Sequence, residues 1–118
     1  MLDEQIDVRD EGTITIVSLN GQFIGGEETD ALRDVFVGLT KRERPHVIVD
    51  LADVSYLNSS FISALLAAHA ALARRGGVIA LAGMNGTIGQ IFAVTKLELV
   101  FPLFPTVEVA KSSQNVSS

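Results

Sequence analysis

The chain has no cysteine, no tryptophan, a single tyrosine and three prolines in 118 residues. The missing cysteine excludes disulfides, thiolate nucleophiles and sulfur ligands for metals together, and it suits a reducing compartment, so a cytoplasmic location is expected. Positive charge is scarce: nine Lys and Arg against fourteen Asp and Glu leave a formal charge of −5. Such a surface repels phosphate backbones and anionic headgroups, and the one short basic cluster is Lys41-Arg42-Glu43-Arg44, so nucleic acid is not an expected partner. Apolar runs fall short of the roughly 18–20 residues that a membrane span needs. The nearest approach, residues 61–73, contains Ser63 and His69, and no direct membrane insertion is expected. The acidic start Met1-Leu2-Asp3-Glu4 is the reverse of the basic opening of a secretory signal.

The motifs of common catalysts are missing as well. There is no Walker lysine, no Gly-x-Ser-x-Gly elbow and no His pair at i, i+4, and the two histidines, His46 and His69, are isolated. Gly83, Gly86 and Gly89 follow an apolar strand pattern, but their spacing is not that of a dinucleotide fingerprint, and helix capping and tight packing account for them. Glu27, Glu28, Asp30 and Asp34 cluster at a helix start, where the dipole favours acids. His69, among Leu65, Leu66 and Leu72, reads as a partly buried structural histidine. No metal and no cofactor is expected, and the chain reads as a binding protein rather than an enzyme.

The patterns present describe one α/β domain, expected over residues 1–111, with a frayed tail over 112–118. Residues 4–9 and 13–20 read as a hairpin about Glu11-Gly12. Ala31, Leu32, Val35, Phe36 and Leu39 predict a helix over 28–40. His46 to Leu51 is a continuous apolar run of the kind buried on both sheet faces. A second helix is expected over 60–75, ended by Gly76-Gly77, then a strand over 78–82, a helix from an Asn85 cap to Val94, a short strand at Leu99–Phe101 before Pro102, and a last helical turn or two at 107–111. Alternation of strand and helix after the hairpin implies right-handed crossovers and a mixed, mostly parallel sheet of four to five strands flanked by four helices.

The second helix carries the functional signal. A helical wheel places Phe61, Ile62, Leu65, Leu66, His69 and Leu72 on the core side, and leaves Ser60, Ser63, Ala64, Ala67, Ala70, Ala71 and Arg74 opposite. A solvated face ordinarily bears Lys and Glu. This small, uncharged stripe is either covered by the protein's own next element or offered to a partner. Asn58-Ser59-Ser60 lies at its N-terminal edge, and a phosphate there would sit favourably on free helix amides while planting a hydrated dianion beside a dry contact surface.

Val49-Asp-Leu-Ala-Asp-Val-Ser-Tyr-Leu-Asn-Ser-Ser60, then Gly76-Gly77, then Ile91-Phe92-Ala-Val-Thr-Lys-Leu97, resembles the STAS-domain anti-sigma-factor antagonists over residues 4–111. The resemblance implies a STAS-like domain that docks an anti-sigma factor, itself a serine kinase of the histidine-kinase-like ATPase fold. The ATP would belong to that kinase, and a serine phosphatase would reset the switch. It further implies that Ser59 is the phosphorylation site, with Asn58, Ser60, Ser63, Ala64 and Ala67 at the partner-binding edge. The unphosphorylated form would hold the kinase and so free a sigma factor for transcription. Asn58 and Phe61 stand where the family usually has Asp and Gly, and Lys96 where it commonly has Gly. Two other readings of the same residues are a constitutive, unphosphorylated STAS module, serving as a signalling scaffold or as the cytoplasmic accessory of a membrane transporter, and a small-molecule site near Asp50 and Gly83.

Overall fold

The computed structural model describes residues 5–116. Strands β1 (Ile6–Glu11) and β2 (Ile14–Phe23) form the expected hairpin, followed by α1 (Glu27–Leu39), β3 (His46–Leu57), α2 (Ser59–Ala73), β4 (Val78–Ala82), α3 (Gly86–Val94), a 3-10 turn at Leu97–Leu99, β5 (Leu103–Phe104) and α4 (Val107–Val116). The five strands lie in the order β1-β2-β3-β4-β5. The hairpin pair is antiparallel and every later neighbour is parallel. This is the mixed, mostly parallel α/β sheet that the sequence pattern predicts.

Two cores follow from the alternation of side chains across the sheet. On one face Val17, Leu19, Val47, Val49, Leu51, Ile79 and Leu81 meet Leu32 and Phe36 of α1, Leu65 and Leu72 of α2, and Ile88 and Phe92 of α3. On the other, Ile14, Ile16, Ile48 and Ala82 are covered by Ala110 of α4. Near the β1–β2 turn, Asp10 accepts from Arg42 at 2.6 Å and from the Thr15 hydroxyl at 2.8 Å, and these bonds hold the Asp10 carboxyl below its ordinary range.

Three boundaries differ from expectation for physical reasons. β3 runs on to Leu57, because it pairs with β2 as far as Phe23↔Leu57 through register shifts at Ser18/Asn20 and Gly21/Gln22. The last strand is Leu103–Phe104 rather than 99–101: Lys96 turns the chain at φ 61°, residues 97–99 coil to bury Leu97, and pairing starts with the Pro102 carbonyl accepting from the Leu81 amide. α4 is longer than a turn or two and takes in residues 112–116, while residues 117–118 of the expected tail lie outside the described residues.

Candidate functional site

The C-terminal end of β3 delivers the chain into α2. The Asn58 amide donates to the Phe23 carbonyl at 3.1 Å, which fixes the end of the strand. Its side-chain Oδ1 then accepts from the amides of Ser60 at 3.1 Å and Phe61 at 3.4 Å. Asparagine therefore supplies the N-cap that the sequence assigns to it, with extended backbone and no carboxylate. Phe61 turns inward as expected. It is wholly buried, with its ring centroid 5.2 Å from that of Phe23.

The serines on either side of this cap differ in surroundings. Ser59 is exposed, and among the described residues no hydrogen bond engages its hydroxyl. Ser60 is half-buried beneath the β2–α1 loop. Gly25, at φ 87°, comes so close that a Cβ there would stand 3.0 Å from both Cβ and Oγ of Ser60, so glycine is required on backbone and steric grounds. The Ser60 carbonyl accepts from Arg33 Nη2 at 3.3 Å. Of the two hydroxyls, that of Ser59 is the one open to a second protein.

The β2–α1 loop is itself stapled to α1. One Glu28 carboxylate oxygen accepts from the amides of Ile24 at 2.8 Å and Gly26 at 3.0 Å and from the Thr29 hydroxyl at 2.7 Å. Burial pushes this carboxyl up, but the Thr29 hydroxyl and the backbone amides of Ile24, Gly26 and Glu28 outweigh it and hold its pKa at about 2. Ile24 is thereby presented 50% exposed, and Tyr56, on the same end of the sheet, is 52% exposed.

Along α2 the wheel needs rotation. Ala64 and Ala68 are buried at 2% and 4%, while Leu66 is 37% exposed. The buried stripe is thus Phe61, Ala64, Leu65, Ala68 and Leu72, because α2 touches the sheet on one side and α1 on the other. Ala64, expected on the docking edge, is almost wholly buried and lines the open groove between α1 and α2. Ser63 and Ala67 are exposed as expected. With Ser59 and Leu66 they form one outward strip at helical spacing.

Other expected features settle as structure. Asp50 accepts from the Ala52 amide at 3.0 Å within β3, and Asp53 lies in the same strand rather than beyond it. His69 is half-buried with its ring edge on Phe101, centroids 5.4 Å apart. Gly83 has φ 76° and no room for a Cβ, whereas Gly86 and Gly89 have ordinary space around them. Asn85 caps α3 by accepting from the Ile88 amide at 3.0 Å. Among the described residues no group of His, Cys, Asp and Glu could hold a metal ion, and no helix is long and apolar enough to cross a membrane. Gly25, Arg33, Ile24 and Tyr56 were not foreseen as neighbours of the serines. Only Gly25-Gly26 left a local trace, as a turn signal; the rest depends on how α1 and the strand ends meet.

The STAS domain model matches residues 5–110. An anti-sigma factor antagonist from Mycobacterium paratuberculosis has a similar structure, with TM-score 0.81 and 23% identity over 92% of this chain and 91% of that one. SpoIIAA of Bacillus, an anti-sigma factor antagonist, is similar in its unphosphorylated form at TM-score 0.80 and in its phosphorylated form at 0.74, in each case at 15% identity over more than nine-tenths of both chains. A sulfate transporter family protein from Wolinella succinogenes is similar at TM-score 0.72 and 16% identity, covering 92% of this chain and 91% of that one. No curated protein matches in sequence.

Proposed function

The chain belongs to the STAS domain family, and from that membership we propose that it is an anti-sigma factor antagonist, a binding module whose docking is switched by phosphorylation of Ser59. The observation that carries this reading is the exposed, unengaged Ser59 hydroxyl at the first residue of α2, beside a second serine that the Gly25 loop covers. Asn58 has already capped the amides of Ser60 and Phe61, so adding a phosphate at Ser59 does not require the helix start to be rebuilt. The helix dipole favours the added charge, and the first turn of α2 contains no acid to repel it. What the phosphate opposes is docking. Ile24 and Tyr56 stand exposed by the start of α2 and Leu66 midway along it, and a hydrated dianion beside them costs any partner that must dry this surface.

The partner on this reading is an anti-sigma factor with serine kinase activity, with a phosphatase to reset the switch. Two proteins of the same fold, one described in both phosphorylated and unphosphorylated forms, are antagonists of this kind, which supports the assignment. The test is affinity capture from the source cell with wild type, Ser59→Ala and Ser59→Asp as baits, followed by mass measurement of the wild-type bait after incubation with ATP and the captured kinase. The expected result is a serine kinase retained by wild type and Ser59→Ala but not by Ser59→Asp, and one added phosphate on Ser59. Equal capture of transporter or scaffold subunits by all three baits would overturn the switch in favour of a constitutive module.

A further inference from the structure

α1 and α2 are successive crossover helices on one face of a parallel sheet, so they run side by side in the same direction, and an open groove of about 330 Å³ lies between them. Its walls are Phe36 and Val37 of α1 and Ala67 and Ala71 of α2, and no carboxylate lines it. Val37 is 57% exposed there. The alanines let a third backbone approach closely, and the lining from Ala64 to Arg74 spans about 15 Å of helix at 1.5 Å per residue.

Charge identifies what would lie in it. Arg33 stands at the end nearest Ser60 and Arg74 at the opposite end. Lys41, Arg44 and Arg75 lie in the turns that follow the two helices, outside the groove lining. Arg44 is pressed against the second of these turns, 3.5 Å from where a Cβ would be on Gly76. All five cations are exposed, and among the described residues none of them is in an ion pair. In a chain of net charge −5 the charges that line this groove are nonetheless both positive, Arg33 and Arg74, with the exposed Asp30, Asp34 and Glu43 outside the lining. The helix dipoles explain cations at the C-terminal ends, but not Arg33 at the other end.

We propose that this groove docks an acidic amphipathic helix of a partner protein, its apolar face on Ala67, Ala71 and Val37 and its carboxylates against Arg33 and Arg74. The groove shares Ala67 with the outward strip that begins at Ser59, so its occupant would lie alongside the surface proposed for the switch.

The experiment uses the full chain and two labelled 15-residue helical peptides, identical in a leucine face spaced i, i+3, i+4, i+7 and bearing either glutamate or lysine elsewhere. Fluorescence anisotropy should show the glutamate peptide binding wild type at least tenfold more tightly than the lysine peptide, and binding should weaken as salt rises. Ala67→Glu, at an exposed position, should reduce glutamate-peptide binding at least tenfold. The double variant R33E/R74E should reverse the preference between the peptides, which a merely unfolded variant cannot do. No binding of the glutamate peptide, equal binding of both peptides, or indifference to Ala67→Glu would overturn the proposal. So would a concentration-dependent dimer in sedimentation that Ala67→Glu abolishes, since a second copy would then fill the groove.

Discussion

Among the described residues Arg44 and Lys96 are the non-glycine residues at positive φ, and Lys96 is the one that ends a helix. It follows the last turn of α3 at φ 61° and ψ 22°, the left-handed conformation that closes many helices. For a non-glycine residue this conformation costs roughly 1–2 kcal/mol. The resemblance drawn from the sequence implies a glycine at this place, and the geometry is one that glycine suits. Lys96→Gly should therefore stabilise the protein by about 1 kcal/mol, part of the relief being lost to the greater freedom of glycine in the unfolded chain. Urea unfolding checks this: the midpoint should rise with an unchanged slope, and an equal or lower midpoint would mean that the lysine conformation is not strained. Phe61, the other substitution for glycine, is accommodated differently. Its backbone is helical and its ring fills core space against Phe23, so it adds packing where Lys96 adds strain.

At the scale of elements, legibility followed periodicity. Helix α1 and strands β2 and β4 have clean patterns and lie close to where the sequence places them. The second half of β3 was missed because Leu51, Val54 and Leu57 are buried at every third residue, a consequence of the register shifts against β2 that break the two-residue alternation on which strand recognition depends. The face of α2 was misjudged because the helix is apolar nearly all round, so the wheel has no polar side to orient it and only the position of α1 decides that Ala64 is inside and Leu66 outside. Ser59 and its cap were legible since capping is local; Gly25 and Arg33 were not, being brought there by α1. The staple that fixes the start of α1 gives a prediction of its own. The Glu28 carboxylate is bonded in its ionised form, with a folded pKa of about 2 against 4.5 for an unperturbed glutamate. The unfolded chain therefore binds the proton first, so the stabilisation is complete above about pH 4.5 and is lost as pH falls towards 2. Asp10 and Glu11 are shifted in the same direction, so the wild-type profile alone does not isolate Glu28. The difference between wild type and Glu28→Gln in urea midpoint should be constant from pH 5 to 8 and should shrink steadily between pH 4.5 and 2. A difference that stays constant throughout would show that the carboxylate is not held by these amides.

Over the whole molecule the two faces of the sheet are unequally protected. Three helices cover one face, whereas the other has α4 alone, lying over β3, β4 and β5. The uncovered part of that face is polar, with Ser18 opposite Asp50 in the β2–β3 register, so a single helix suffices. It shields Ile14, Ile16 and Ile48, which are no more than 4% exposed. α4 is also tied to the hairpin by Lys111, which donates to Glu11 at 2.9 Å. With both proposed docking surfaces at α2, on the opposite face, the role left to α4 is stability. Removing residues 106–118 should then re-expose three isoleucines at roughly 1.5–3 kcal/mol each, a large share of the ~5–15 kcal/mol that holds a domain of this size together. The truncated chain should melt at least ~10 °C lower, by the usual relation of stability to midpoint, and should bind a dye that reports exposed apolar surface. The control is Lys111→Ala, which removes only the surface ion pairs to Glu11 and Glu108, of the kind that contributes little to stability, and should leave both readings near those of wild type. A truncated chain that melts within a few degrees of the full one and binds no dye would show that the second face needs no cover, and that α4 is free for another task.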